Sequence, residues 1–496
     1  MARRIKFCYR PIWLESDTEK KSFRDRRFFV VCVEMYFVDT IVALATPLGR
    51  SGIGVIRLSG DDALGIVRRI VNDNDFAPEP RQAILHQVYN TDASEVIDSA
   101  LVTYFRAPHS FTGEDVVEIS CHGSPVLLRL VIDECLSLGA RMAEPGEFSL
   151  RALAHGRMDL TEAEAIRDLI DAQTIAAARQ AVRQMSGEFS HQLQPIKVEL
   201  LDVIVFLESA LEFVEDDLPQ LQMENLDSRL RSVADSIAAM AATYQAGHLV
   251  REGIRVAIVG RPNVGKSSLF NALVGDDRAI VTEIPGTTRD QIRERFVIEN
   301  IPVSLVDTAG LRETIDTVEK IGVERARRTM IDADLVMAVI DVTDNDIEGD
   351  VEILESVTAM RHLIVLNKID KATSETVEKF QTRLLESLGS DDRQHISISA
   401  KSGSGLDALR SALIKPFSPA DMNLDGFLVS DARHYDLLRR AHDEIVNSAD
   451  LLKSGTTEEI VLVGLHNALR FLGEITGETT TEDMLTRIFS TFCIGK

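Results

Sequence analysis

The chain has 496 residues, of which 45% are hydrophobic, and this length favours several domains with their own cores over a single domain. Its formal net charge of -24 argues against a broadly basic nucleic-acid surface, so any contact with RNA is expected to be local or shared with a partner. No apolar run approaches the roughly 18 residues that span a bilayer, and the five cysteines lack disulfide or metal-ligand spacing, which predicts a cytoplasmic protein without membrane segments.

Residues 1–38 differ in charge from the rest of the chain, since Lys and Arg number nine and Asp and Glu five through Phe37. Three interpretations remain open: a genuine tail, a targeting peptide, or an upstream start codon with Met35 close to the true beginning of the protein. The acidic residues weaken the targeting interpretation, because transit peptides are poor in acids.

Residues 39–157 show short apolar runs separated by turns, such as residues 54–58 and 115–119. This pattern is typical of an α+β domain. A capping box at residues 161–164 then begins a helical periodicity that recurs toward residue 245. We therefore predict a helical domain over 158–252, whose second part follows at 418–496 after an inserted α/β domain at 253–417.

A phosphate-binding loop occupies residues 260–268, directly after an apolar strand. Gly260 and Gly265 allow the backbone to fold tightly, so that N–H groups and a helix N-terminus converge on the phosphates. Lys266 is expected to reach the β and γ phosphates, and the Ser267 hydroxyl to bind the Mg²⁺ that bridges them. The alternative, an ordinary glycine-rich turn, is disfavoured by the strand before the loop and the helix after it.

Further motifs follow in the order that a guanine nucleotide site needs. The segment 367–370 ends an apolar run, which places the Asp370 carboxylate where it can accept both N1–H and the exocyclic amine of guanine. Adenine offers neither donor, so we expect discrimination of about 10⁴-fold or more. Residues 399–401 resemble the loop behind the guanine in small GTPases. Residues 307–310 close another strand, and are expected to bring a carboxylate to Mg²⁺ and a glycine to the γ phosphate.

The hydrolytic residues are less obvious. Residues 284–290 resemble the first switch loop of this GTPase class, with Thr288 completing the Mg²⁺ shell, although a simple Pro-Gly turn is the alternative. Leu311 occupies the place of the water-orienting Gln of Ras-like proteins, so another residue must orient the water and another charge must stabilise the transition state. Asn263 could present its side-chain oxygen to a monovalent cation, and Glu319 could orient the water. From the residues alone, Glu319 fits a solvated helix carboxylate at least as well.

Together these motifs make the chain resemble the MnmE (TrmE) family of bacterial tRNA-modification GTPases over residues 39–496, which leaves residues 1–38 outside the family. The resemblance implies that Asn263 binds K⁺ together with Thr282, Ile284 and Thr287. It also implies that K⁺ replaces an arginine finger and that Glu319 orients the catalytic water.

In the first domain, the resemblance implies a tetrahydrofolate derivative, in its 5-formyl or methylene form, as a one-carbon donor. The matching contact positions are Arg57, Glu118, Arg157 and Lys496, although Arg157 falls where many relatives have Lys. The residues alone favour a surface salt bridge for Arg57 and a strand-face carboxylate for Glu118. The C-terminal residues match the family's ending, which implies a role for Cys493 in the modification; a frayed, inert end is the alternative.

The resemblance further implies a homodimer through the folate-binding-like domain, and a heterotetramer with the FAD-dependent partner MnmG (GidA). We therefore predict a K⁺-stimulated, Mg²⁺-dependent GTP hydrolase that acts on tRNA. It would help to add an aminomethyl or carboxymethylaminomethyl group to C5 of the wobble uridine. Two other classes compete. A regulatory GTPase in ribosome assembly would share the nucleotide motifs, and a folate-dependent aminomethyltransferase would share the first domain but lack the phosphate loop.

The predicted fold is multidomain: an N-terminal α+β tetrahydrofolate-binding-like domain, a helical domain, and an inserted Ras-like P-loop GTPase domain with a mainly parallel sheet. The predicted catalytic residues are Lys266, Glu319 and Cys493. The predicted GTP-binding residues are Asn263, Val264, Gly265, Lys266, Ser267, Ser268, Thr282, Glu283, Ile284, Pro285, Gly286, Thr287, Thr288, Asp307, Thr308, Ala309, Gly310, Asn367, Lys368, Asp370, Ser399, Ala400 and Lys401.

Overall fold

The computed structural model describes residues 6–11, 31–36, 39–213, 220–275, 293–307, 333–344, 347–388, 395–417, 426–480 and 482–495. The chain divides into two compact units. One comprises Met1–Arg167 with Thr476–Lys496, and the other comprises Asp168–Ile475.

The first unit contains a two-stranded and a six-stranded sheet. In the smaller sheet, β1 (Lys6–Pro11) pairs antiparallel with β2 (Val31–Tyr36). The strands of the larger sheet are β3 (Ile41–Leu44), β4 (Ile53–Ser59), β5 (Ala83–Tyr89), β6 (Val96–Phe105), β7 (Val116–His122) and β8 (Arg141–Met142). Their spatial order is β5-β6-β7-β4-β3-β8, and all neighbours are antiparallel except β3 and β8.

Two helices, α1 (Ala63–Ile70) and α2 (Pro125–Ser137), pack against this larger sheet. Along β6, Ala100 and Val102 are buried while Ser99 and Leu101 are exposed, because successive side chains of a strand point to opposite faces. The buried face of the sheet and the apolar sides of α1 and α2 form one core.

The helix α3 (Glu147–Ala154) carries a fully buried guanidinium, that of Arg151, and is followed by α4 (Leu160–Asp171). Arg151 lies 2.8 Å from Asp39, 3.1 Å from Glu114 and 2.9 Å from Glu147. Removing such a charge from water costs several kcal/mol, which only close partners offset. These ion pairs tie α3 to the beginning of β3 and to the loop before β7.

The second unit begins with helices α5 (Ile175–Met185), α6 (Glu188–Phe213), α7 (Gln220–Ala242) and α8 (Tyr244–Glu252). The α5 helix begins where the Thr174 side chain accepts a hydrogen bond from the Ala177 N–H, which satisfies one of the free N–H groups of the first turn. Gly253 ends α8 with a positive φ of 71°, and a Cβ there would lie 1.9 Å from the Pro302 carbonyl oxygen.

An α/β region follows, with strands and helices that alternate. They are β9 (Ile254–Val259), α9 (Lys266–Val274), β10 (Arg293–Ile298), β11 (Ile301–Asp307), β12 (Leu335–Asp341), α10 (Glu348–Val357), β13 (His362–Asn367), α11 (Ser374–Ser387), β14 (His395–Ser397) and α12 (Leu406–Ile414). The sheet order is β10-β11-β9-β12-β13-β14, and only β10 and β11 pair antiparallel. Parallel strands end at one edge of a sheet, so the segments that follow β9, β12 and β13 share that edge.

Two long helices, α13 (Ala432–Lys453) and α14 (Glu458–Thr476), resume the helical region. They share an apolar core with α6 and α7. Arg251 on α8 lies 2.9 Å from Asp168 and 2.7 Å from Asp431, so one half-buried cation joins α8 to the end of α4 and the start of α13. The last helix, α15 (Glu482–Phe489), belongs to the first unit and packs against α3 and α4. The predicted fold class is confirmed.

Candidate functional site

The segment between β9 and α9 forms a tight loop over residues 260–265. Gly260 has a φ of 152°, and a Cβ there would lie 2.3 Å from the Val339 carbonyl oxygen. Asn263 and Gly265 adopt positive φ values of 63° and 100°, and Gly265 is the N-cap of α9. The loop therefore brings its backbone and a helix N-terminus to the sheet edge, which is the arrangement that binds phosphate.

Lys266 is the buried cation of this loop, with only 8% of the residue exposed. Its Nζ donates hydrogen bonds to the Gly260 carbonyl at 2.9 Å and to the Arg261 carbonyl at 2.6 Å. Val264 is buried beneath the loop, while Ser267 and Ser268 are exposed at the first turn of α9. An ammonium held in this way lies within the concave side of an anion-binding loop.

The segment after β13 contacts the phosphate loop directly. Asn367, which is 2% exposed, donates from Nδ2 to the Val264 carbonyl at 2.9 Å, and its Oδ1 accepts from the Ala400 N–H at 3.0 Å. Lys368 has a positive φ of 68°, and its Nζ donates to the Asn263 carbonyl at 2.8 Å. The predicted base-recognition residues and the predicted phosphate residues are thus joined by hydrogen bonds.

Asp370 lies exposed in a 3₁₀ turn, Ile369–Lys371, at the same edge. The fully buried Ser399 donates from Oγ to Asp370 Oδ1 at 2.6 Å, and this hydrogen bond holds the pKa of Asp370 below its ordinary value. Lys401 is exposed one residue beyond Ala400. An ionised carboxylate fixed in this way can accept hydrogen bonds only, as recognition of a donor edge requires.

Asp341 also lies in this site, although no sequence motif predicts it. It ends β12, its Oδ1 accepts from the N–H and the hydroxyl of Thr343, and its Oδ2 lies 2.5 Å from Lys368 Nζ. Burial alone would raise the pKa of Asp341, but the hydrogen bonds from Lys368 and Thr343 outweigh it and lower the pKa. The available signal was a carboxylate that closes the apolar run 335–340.

Several predicted residues lie outside the described residues, and the structure says nothing of them. They are Thr282, Glu283, Ile284, Pro285, Gly286, Thr287, Thr288, Thr308, Ala309, Gly310, Glu319 and Lys496. For Asp307, the backbone is described: it ends β11 and pairs in register with Ile258 of β9. That position is beside the phosphate loop, at the same sheet edge.

A second cluster occupies the first unit. Arg57 on β4 and Glu118 on β7 are paired in register, and the guanidinium donates to Glu118 Oε1 from Nε at 2.9 Å and from Nη2 at 2.7 Å. The rings of Phe111 and Phe148 lie 5.6 Å and 5.8 Å from the guanidinium carbon. Arg157 is exposed beyond α3, where its N–H donates to the Ala152 carbonyl.

The C-terminal tail, residues 490–495, reaches the same cluster. Arg57 Nη1 donates to the Gly495 carbonyl at 3.3 Å, and a Cβ on Gly495 would lie 2.3 Å from the Leu44 carbonyl oxygen. The Gly146 N–H donates to the Cys493 carbonyl at 3.3 Å, while Cys493 itself is exposed. The tail is therefore held through the main-chain carbonyls of Cys493 and Gly495, while the Cys493 thiol stays accessible.

Two further cysteines, Cys121 and Cys135, differ from Cys493. Cys121 and Cys135 are buried, and burial raises the pKa of each thiol to about 12. Thiols of this kind remain protonated and unreactive at neutral pH.

Comparison with known proteins agrees with this geometry. Residues 40–157 match the family model for the GTP-binding protein TrmE N-terminus, and residues 160–493 match that for the MnmE helical domain. The tRNA modification GTPase MnmE of Aquifex aeolicus (strain VF5) is 41% identical over 459 residues, which cover 92% of this chain and 100% of that protein. The chain belongs to the MnmE family of tRNA modification GTPases.

A second MnmE relative, that of Koribacter versatilis (strain Ellin345), is 42% identical over 462 residues, which cover 92% of this chain and 99% of that protein. Among solved structures, the G domain of the T. maritima FeoB iron transporter is 29% identical over 33% of this chain and 97% of its own, with a TM-score of 0.25. The predicted MnmE resemblance is confirmed, and as an MnmE-family member the protein is a GTP hydrolase. Within the described ranges, no helix combines the length and apolar composition that crossing a membrane requires.

Proposed function

We propose that the protein is a K⁺-stimulated, Mg²⁺-dependent GTP hydrolase that modifies C5 of the wobble uridine of tRNAs. It would add an aminomethyl or carboxymethylaminomethyl group together with the FAD-dependent partner MnmG (GidA). One observation carries the proposal: the same chain contains the hydrogen-bonded nucleotide motifs and the Arg57–Glu118 cluster with its docked tail. This chain is similar to MnmE over the whole length of that relative.

Guanine recognition is assigned to Asp370, Asn367 and the 399–401 segment. The Asp370 carboxylate stands at the carboxyl edge of the sheet and is oriented by the Ser399 hydroxyl. Guanine presents N1–H and an exocyclic amine to such an acceptor, and adenine presents neither. A nucleotide with adenine would leave the carboxylate without donors, which costs binding free energy.

Phosphate binding is assigned to the loop N–H groups of residues 263–268 and to Lys266. The loop fits this ligand, because glycines at 260 and 265 let it pack closely against Val339 and Asn367 and place the N-terminus of α9 at the sheet edge. Lys266 would exchange its carbonyl contacts for β and γ phosphate oxygens. When bound, Mg²⁺ neutralises those oxygens, with the Ser267 and Thr288 hydroxyls as its proposed protein ligands.

Asn263 is proposed to hold K⁺ with Thr282, Ile284 and Thr287. Asn263 is exposed at the turn of the phosphate loop, where it has a positive φ and its carbonyl accepts a hydrogen bond from Lys368 Nζ. When bound, K⁺ supplies positive charge beside the transferring phosphoryl group. Glu319 is proposed to orient the attacking water.

The Arg57–Glu118 cluster is proposed to bind a tetrahydrofolate derivative, with Arg157 and Lys496. The cluster fits a planar heterocycle, since it combines a guanidinium, a carboxylate and two aromatic rings in one place. When bound, the folate supplies a one-carbon unit. Cys493 is proposed to take part in the modification, and the first domain to form a homodimer in the cytoplasm.

The cation proposal is tested with the purified full chain by comparing GTP turnover in KCl and NaCl at equal ionic strength. Asn263→Gly removes the side-chain oxygen but tolerates the positive φ. We expect K⁺ to stimulate the parent about tenfold or more and the variant much less, as for loss of one transition-state contact. Equal turnover in the two salts for the parent, or undiminished stimulation of the variant, would overturn the K⁺ assignment.

The modification proposal is tested by nucleoside analysis of tRNA from cells that lack the gene, complemented with the parent, with Lys266→Ala or with Cys493→Ser. We expect the C5 group of the wobble uridine to return with the parent and not with Lys266→Ala. Complete modification without the gene, accompanied by immature ribosomal subunits, would instead support the regulatory GTPase. Full restoration by Cys493→Ser would remove the thiol from the mechanism.

A further inference from the structure

The carboxylate of Asp341 lies at the junction of three segments of the nucleotide site. It ends β12, which stands between β9 and β13 in the sheet, and it pairs in register with Asn367 of the base-recognition segment. The phosphate loop follows β9 at the same edge. A side chain at this position is therefore within reach of both nucleotide-binding segments.

The two oxygens of Asp341 have different partners. Oδ1 accepts from the Thr343 N–H at 3.0 Å and from the Thr343 hydroxyl at 2.7 Å, so the turn after β12 fixes the plane of the carboxylate. Oδ2 faces Lys368 Nζ at 2.5 Å. The side chain of Asp341 is 12% exposed and that of Lys368 is 24% exposed, so water screens this ion pair much less than a surface pair.

Lys368 passes the contact on to the phosphate loop, because the same Nζ donates to the Asn263 carbonyl at 2.8 Å. Both Lys368 and Asn263 have positive φ values, 68° and 63°, which are strained for residues with a Cβ and need support from their surroundings. The ammonium therefore links two strained backbone positions, one in each nucleotide-binding segment.

We propose that Asp341 is a positioning residue for guanine nucleotide binding, which acts by holding the Lys368 ammonium against the Asn263 carbonyl. Without the carboxylate, Lys368 would be free to turn toward water, and the phosphate loop would lose its tie to the base-recognition segment. The proposal rests on the GTPase identity of the protein and is independent of the K⁺ and tRNA assignments.

The test compares Asp341→Asn with a control variant, Glu375→Gln. The control removes the carboxylate of an exposed ion pair in the same region, in which Glu375 Oε1 lies 2.6 Å from Lys379 Nζ. Dissociation of a fluorescent GDP and steady-state GTP turnover are measured for the full chain. We expect Asp341→Asn to release GDP about tenfold faster, with kcat at saturating GTP within about twofold, and Glu375→Gln to match the parent.

A double-mutant cycle with Lys368→Met shows whether Asp341 acts through the lysine. We expect the double variant to release GDP no faster than Lys368→Met alone, because the two changes remove one contact. Should Asp341→Asn fail to fold, Thr343→Val, which frees Oδ1 from the hydroxyl, is expected to raise the release rate about two- to threefold. Unchanged GDP release in the folded variants, or effects of Asp341→Asn and Lys368→Met that multiply, would overturn the proposal.

Discussion

Replacing Gly265 by alanine is expected to weaken guanine nucleotide binding through a defined contact. Gly265 has a φ of 100°, and a Cβ there would lie 2.4 Å from Asn367 Nδ2. The left-handed backbone costs a residue with a Cβ about 1–2 kcal/mol. Asn367 must also move, which breaks its hydrogen bonds to Val264 and Ala400, each worth about 0.5–1.5 kcal/mol. Together, the backbone strain and the two lost hydrogen bonds cost about 2–5 kcal/mol.

The matched control is Gly455→Ala, in the loop after α13. Gly455 also has a positive φ, 75°, but no atom lies within 4 Å of its added Cβ. This variant should lose about 1 kcal/mol of stability and bind nucleotide like the parent. Gly265→Ala should raise the Kd of a fluorescent GDP by about 30-fold or more, since each 1.4 kcal/mol corresponds to a factor of ten. Titration of the two variants side by side measures the difference. Equal GDP affinity in both would refute the argument that Asn367 docks on the phosphate loop.

Three further results are expected. Arg251→Met should destabilise the helical region by about 3–5 kcal/mol in thermal or denaturant unfolding, because it removes the cation that the partly buried carboxylates of Asp168 and Asp431 share. Alkylation followed by peptide mass analysis at pH 8 should label Cys493 and spare Cys121 and Cys135, and Gly495→Ala should speed labelling of Cys493 by releasing the tail. Burial raises the pKa values of Cys121 and Cys135 to about 12, so the protonated thiols contribute their full share of stability below the unfolded-state pKa near 9. This contribution is lost as the pH rises toward 12, and melting temperatures across this pH range measure the loss.

Within the described residues, the juxtaposition of the predicted nucleotide motifs could be expected because these motifs are local. Each one follows an apolar strand, and parallel strands must end at one sheet edge, so residues such as Lys266 and Asp370 were expected together before any distance was known. Asp341 was not predictable in the same way. A carboxylate at the end of a strand has no motif of its own, and its role depends on a lysine that arrives from the next parallel strand.

The buried cation of the first unit shows why long-range pairing escapes a sequence. Arg151 contacts Asp39 and Glu114, which are far from it along the chain, and nothing in the spacing of these residues distinguishes them from solvated charges. Only burial of the guanidinium makes the three interdependent, because an unpaired charge there would be too costly.

The tail differs again, because the sequence indicates which residues matter but not which of their atoms make the docking contacts. The predicted role of Cys493 concerns its side chain, whereas the docking contacts are made by main-chain carbonyls. The Gly146 N–H donates to the Cys493 carbonyl, and Arg57 donates to the carbonyl of Gly495, 438 residues away. Contacts through main-chain carbonyls do not depend on which side chain a residue carries. They require only that residues be small where two stretches of main chain approach closely. A Cβ on Gly146 would lie 2.8 Å from the Phe489 carbonyl oxygen, and one on Gly495 even closer to Leu44. The two glycines therefore allow the close approach that places the tail against β3 and α3, while the Cys493 side chain stays exposed.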